Sequence, residues 1–233
     1  MKHRLVCSLV IGLSYASAAA ADPPPPTIKG TYAAVGSNTC LVAPGFSAGS
    51  PTNPTPGTPL PNSGFNSNFV PKDSASSFQT SLSDEGIWVF DGQGNGTHSD
   101  TNVDITPRPT PGPGGNYPAF APSASSNSVT ATFTYTVNSD GTWTYQGTPN
   151  GTQVTFLTGG RTGQTAYIDT VQMTGLIGAA GVVGNAQAPG LIGSPPSLTV
   201  ASTTPYVETV FYSNGDVWPR VCYRHRVLIR MGN

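Results

Sequence analysis

The stretch Val129-Thr130-Ala131-Thr132-Phe133-Thr134-Tyr135-Thr136-Val137 alternates without a break. Apolar residues take one phase and threonines the other. Successive side chains of a β-strand point to opposite faces, so this period of two predicts a half-buried strand. Asn138-Ser139-Asp140-Gly141 follows, and Thr142 to Tyr145 resume the strand pattern. Asp-Gly readily supplies the positive φ of a tight hairpin, so the segment predicts two antiparallel strands and a short turn.

The same signal recurs on both sides. Ile87 to Asp91 and Thr97 to Val103 flank Gly92-Gln93-Gly94-Asn95-Gly96, and Val207 to Tyr212 and Val217 to Arg230 flank Ser213-Asn214-Gly215-Asp216. Further strands are expected at Ile28 to Val35, Val154 to Thr158, Thr165 to Met173 and Ser197 to Ala201; Thr39 to Val42 continues the first strand or begins another. Only 9% of residues are charged, whereas the chain holds 28 Gly and 23 Pro, so helix propensity is low throughout. The expectation is an all-β fold, an antiparallel up-and-down meander of about 8–10 strands closed into a barrel. Three connections are long and rich in Pro, Gly or Ser: 43–85, 104–128 and 175–196. Those at 92–96, 138–141, 159–163 and 202–205 are short, as are 147–151 and 213–216. Alternate connections of a meander share an end, and this count places all three long loops at one end.

Lys2, His3 and Arg4, the apolar run Leu5 to Leu13 and the small residues Ser17 to Ala21 predict a signal peptide over residues 1–21. Residues 22–233 then form a single exported domain, periplasmic or secreted. The apolar run is shorter than the roughly 20 residues that span a bilayer, so no transmembrane helix is expected after processing. Loss of Lys2 and Arg4 takes the charge from 10 − 11 to 8 − 11, or −3, which disfavours nucleic acid as a partner. Cys40 and Cys222 remain, and an even count in an exported chain predicts a disulfide. First and last strands pair in a closed meander, so bridge and barrel imply each other.

The sequence offers a wall rather than a catalytic motif. Phe133, Tyr135, Trp143 and Tyr145 are candidates to line a ligand space. Tyr223 and His225 join them, because they share a face of the last strand with Val221, Val227, Ile229 and Met231. The opposite face carries Arg220, Cys222, Arg224, Arg226 and Arg230. It is expected outside, where it discourages edge pairing or docks a cell-surface glycan or lipid head group, with the disulfide on the outer wall or rim. Gly45-Phe46-Ser47-Ala48-Gly49 has the spacing of a nucleophile elbow but no helix behind it. Asp91, Gln93 and Asn95 open like a calcium loop, yet Asn102 stands where a bidentate carboxylate is required. His98 and His225 lack partners at metal-ligand spacing. No metal or cofactor is expected, and only isolated acids such as Asp104 and Asp169 are left for catalysis. The expected function is a non-enzymatic barrel binding a small apolar or amphipathic ligand. Its alternatives are a structural or adhesive surface protein with a filled core, a small outer-membrane barrel, or a barrel isomerase or hydrolase.

Gly30-Thr31-Tyr32 resembles the Gly-x-aromatic opening of calycin barrels, the lipocalin and avidin group. That resemblance implies an arginine from a late strand near the aromatic residue. The layout Phe90-Asp91-Gly92, Asn95-Gly96-Thr97, Tyr135 to Thr142, then Cys222 and Arg226-Val227-Leu228-Ile229 also resembles uncharacterised exported bacterial proteins, which implies architecture and compartment but no activity.

Overall fold

The computed structural model describes residues 27–43, 62–74, 77–107, 123–178, 192–193 and 195–232. The expected signal peptide lies outside them. The strands are β1 (Thr27–Val42), β2 (Phe78–Asp91), β3 (Asn95–Thr106), β4 (Ser123–Val137), β5 (Thr142–Phe156), β6 (Thr165–Ile168), β7 (Gln172–Gly178), β8 (Ile192–Gly193), β9 (Ser197–Ala201), β10 (Glu208–Tyr212) and β11 (Val217–Arg230). Among the described residues, no helix is long and apolar enough to cross a membrane, which says nothing of crossing by strands.

The hairpins form where turn chemistry permits. Gly141 takes φ 82°, which a side chain would oppose. Asp91 Oδ1 accepts from the backbone N–H groups of Gln93 (2.6 Å) and Asn95 (3.0 Å), and Asn95 Nδ2 donates to Asp91 Oδ2. The carboxylate is thus occupied in holding the β2–β3 turn; burial raises it, but the hydrogen bonds from Asn95 and Gln93 together outweigh that and hold Asp91 below its usual range.

β1 to β5 pair in sequence, each antiparallel to the next. β5 then pairs with β7 over Thr142–Gln146 and with β6 over Thr152–Thr155, so β6 and β7 are halves of one stave. β9 and β10 form the next stave in the same way against β11. β11 returns to β1 in unbroken register from Tyr32↔Arg230 to Val42↔Arg220. The result is a closed antiparallel barrel of eight staves, with β8 added in parallel beside the start of β1.

Two expected turns are not turns. At 148–151 the chain bulges between the pairs Gly147↔Phe133 and Thr152↔Ala131, with Asn150 at φ 58°, and β5 continues in the same direction. At 202–207 it detours between β9 and β10 without reversing. A bulge adds residues and kinks a strand but does not turn it back. Losing the first reversal moves the turn at 157–164 and the connection after β7 to the opposite end from that expected, and losing the second returns 213–216 to its expected end. The connections 43–77 and 107–122 share a rim with the turns at 157–164 and 213–216. The connection after β7 instead leaves from the opposite rim, beside the hairpins at 92–94 and 138–141. The expectation of three long loops at one end therefore holds for two of them.

Closure fixes which side chains face in. On β1 these are the even residues, with Ile28, Tyr32, Ala34, Asn38, Cys40 and Val42 all buried. Towards the hairpin rim the interior is an aromatic plug. Phe90 packs edge-on against Tyr32, Phe133, Tyr135 and Trp143 at centroid distances of 5.2–5.7 Å, and Trp88 and Tyr145 close it from below. Room for the rings comes from absent side chains. A Cβ on Gly96 would lie 2.2 Å from Phe133 Cζ, and one on Gly175 would lie 2.3 Å from Trp143 Nε1.

Cys40 and Cys222 are directly opposed across the β1–β11 ladder and joined by a disulfide, with Cα atoms 4.0 Å apart. Such a bond fits an oxidising compartment. Both cysteines are buried, so the bridge faces inward and not on the outer wall. The reason is parity: Cys40 has the phase of Tyr32 and Ala34. The bond closes a loop of sequence separation 182, for which chain entropy gives an upper value of about 5 kcal/mol. The double variant Cys40→Ser/Cys222→Ser should therefore melt roughly 10–20 °C lower by circular dichroism. It should keep its β spectrum, because the ladder survives; loss of that spectrum at low temperature would contradict this account.

Candidate functional site

The disulfide carries its parity to β11, and with it the arginines. Arg220, Arg224 and Arg226 point into the barrel, while Tyr223 is 59% exposed and His225 is exposed on the outer wall. This inverts the expected faces of the last strand. The apolar run Val221, Tyr223, Val227 and Ile229 lies outside, and the basic residues lie where a core was expected. Arginines tolerate this position because carboxylates meet them there.

The interior towards the other rim is built in rows by strand register. One row runs Arg224, Asn38, Leu82, Asp104, Ser125 across β11 to β4. The next runs Arg226, Gly36, Asp84, Asn102, Asn127 and on to Phe156 of β5. Arg226 Nη2 donates to Asp84 Oδ2 across Gly36. A Cβ there would lie 2.5 Å from Arg226 Cγ and 2.8 Å from Asp84 Oδ1, so the glycine makes room for the pair. Burial pushes the Asp84 carboxyl up, and Arg226 opposes the shift.

Glu208, 1% exposed, anchors the second ion-pair group. Its Oε1 accepts from Arg220 Nε at 2.6 Å and from Arg224 Nη2. The 202–207 detour delivers Tyr206, whose hydroxyl donates to Glu208 Oε2 at 3.2 Å and accepts from the Gln172 backbone N–H at 2.7 Å. Burial pushes that phenol up to about 12. Burial also pushes Glu208 up, but the guanidinium groups of Arg224 and Arg220 outweigh it and hold the carboxyl below its ordinary value.

At the base of the plug, Trp88 and His98 stack at 4.5 Å. Asp100 Oδ1 accepts from Trp88 Nε1 at 3.2 Å, and Asp100 Oδ2 lies 2.8 Å from His98 Nδ1. His98 Nε2 lies 3.2 Å from the Tyr145 hydroxyl. Each ring nitrogen thus has a polar neighbour, Tyr145 at Nε2 and Asp100 at Nδ1, and this chain of groups ties the plug to the charged region. Asp169, an isolated acid in the sequence, accepts from the backbone N–H groups of Thr170 and Thr209 and pins the break between β6 and β7.

Between these groups lies a cavity of about 80 Å³. Asn38, Asp84, Asp104, Asn127 and the three arginines form its polar side, and Val154, Phe156, Ala166, Ile168 and Val210 its apolar side. Besides His98 Nδ1, which makes no hydrogen bond but lies against Asp100 Oδ2, four buried polar atoms on its walls have no partner among the described residues: Asn38 Oδ1, Asp104 Oδ1, Asn127 Oδ1 and Arg226 Nε. Of the aromatic residues proposed from the sequence, only Tyr145 reaches this cavity. Phe133, Tyr135 and Trp143 are spent in the plug, and Arg230 sits at the far rim opposite Tyr32. The sequence reading missed Asp84, Asp100 and Glu208. The signal available was His98-x-Asp100-x-Asn102-x-Asp104, polar groups repeating in one phase of a strand. Comparison with protein-family models and with curated proteins finds no match.

Glu208→Gln leaves two buried guanidinium groups without their carboxylate and should cost about 3–5 kcal/mol at neutral pH. The folded-state pKa of Glu208 lies below its unfolded value, so its stabilisation is complete above about pH 4.5 and is lost as pH falls through the folded value. Denaturant titrations should show the two proteins converging in acid. A gap that is absent at neutral pH, or constant with pH, would contradict this assignment.

Proposed function

We propose that the chain is an exported ligand-binding barrel whose charged half-interior receives the polar head of a small amphipathic molecule. The four unpartnered polar atoms around one cavity carry this reading. Buried polar groups are normally satisfied, so several converging on a shared space favour a polar occupant. The apolar wall from Val154 to Val210 supplies a surface for the rest of such a molecule. A wholly apolar ligand deeper in the barrel is disfavoured, since the aromatic plug fills that half. Export is supported by the order of charged, apolar and small residues over 1–21 and by the disulfide. The outer face of β4 supports a water-facing barrel, since Thr130, Thr132, Thr134 and Thr136 make a poor lipid contact. The pairing of Tyr32 with Arg230 supports the calycin-like reading of the first strand.

Two measurements test the proposal. Isothermal titration of the protein with hexanol, hexylamine and hexanoate should find equimolar binding of at least one. Filling the cavity by Ala166→Leu or Val154→Phe should abolish it, with thermal melts confirming that each variant folds. Failure of all three probes, or binding that survives both fillings, overturns the site. N-terminal sequencing of exported material should begin near Asp22; intact Met1 there would refute the processing.

A further inference from the structure

Resting on that reading, we infer that the head group is a cation, a primary ammonium seated among Asp104, Asn38 and Asn127. The cavity itself makes the selection. Three of its four unpartnered atoms are acceptors: Asp104 Oδ1, Asn38 Oδ1 and Asn127 Oδ1. Asn38 and Asn127 are 8% and 2% exposed, so solvent does not satisfy them at the surface. The Asn127 amide is oriented by its own Nδ2, which donates to Asn102 Oδ1 at 2.7 Å and leaves the oxygen for the cavity. An ammonium group offers three donors and no acceptor, matching this set; a hydroxyl offers one donor and a carboxylate none.

The charge balance agrees. Asp84 is paired with Arg226, and Glu208 with Arg220 and Arg224. Asp100 is held by Trp88 and His98. Asp104 is left with one long hydrogen bond, from Thr106 Oγ1 at 3.4 Å, and no cation within ion-pair distance among the described residues. Arg220 and Arg161 act on it only from further away, and the Nε of Arg220 is committed to Glu208. Burial pushes the Asp104 carboxyl up, as expected for a carboxylate withdrawn from water without a counter-charge. Leaving such a group unpaired is costly, and a cationic ligand removes that cost on binding.

The same calorimetric panel decides the head group. Hexylamine, protonated at neutral pH, should bind at least about tenfold tighter than hexanol, with hexanoate weaker still. Asp104→Asn, an isosteric change that removes only the charge, should erase the preference so that hexylamine and hexanol bind alike. Should that variant fail to fold, Asn127→Leu removes one acceptor and should reduce the preference instead. Hexanol or hexanoate binding as tightly as hexylamine, or a preference untouched by the folded variant, overturns the ammonium assignment while leaving the cavity as a site. Failure of every probe overturns both.

Discussion

A sheet that closes on itself has no edge, and its last strand loses any choice of which face to bury. β11 lies against β1 from Tyr32↔Arg230 to Val42↔Arg220, so the phase of one strand dictates the phase of the other. Tyr32 belongs to the aromatic plug, Cys40 shares its phase, and Cys222 must meet Cys40. Arg220, Arg224 and Arg226 follow Cys222 inward at steps of two. The barrel then needs carboxylates inside, and β2, β3 and β10 supply Asp84, Asp100, Asp104 and Glu208. The ionic interior is thus a consequence of closure as much as of local preference.

That chain of parity was present in the sequence, yet a hydrophobicity rule reads it backwards. Alternation assigns the apolar phase to the core, which works for Val129 to Val137 because the opposite phase is threonine. It fails on β11, where Tyr223, Val227 and Ile229 are apolar but outside. The rule assumes one oily core, whereas this barrel has an oily half and an ionic half. Coupling the disulfide to the phase of Tyr32 would have corrected it. Strand existence, hairpin positions and the cysteine pairing were legible because each rests on local chemistry: Asp-Gly turns, period-two runs and an even thiol count. The positions of the bulges were not. Asn150-Gly151 reads as a turn, and only pairing on both sides of it reveals a strand that continues.

The two halves of the interior are filled by different means. In the plug, rings lie over Gly96 and Gly175 and fill space by shape. In the ionic half, Gly36 again omits a side chain, but the space goes to a salt bridge instead of a ring. The His98–Asp100 contact joins the regions, since Trp88 stacks on the imidazole and also donates to the carboxylate. Wall irregularities contribute as well. The detour at 202–207 interrupts the ladder, and Tyr206 uses that interruption to reach Glu208 and Arg224 from the side.

The position of the disulfide has a consequence outside folding and binding. Cys40 lies near the end of the first strand and Cys222 within the last, so nearly the whole barrel belongs to a single covalent ring. A protease that cuts once anywhere between them, including the connections 43–77 and 107–122, severs the backbone but releases no fragment. Two cuts are needed before any piece is free of covalent attachment, and that piece would still be held by the ladders on either side. Such a molecule outlasts its first nick.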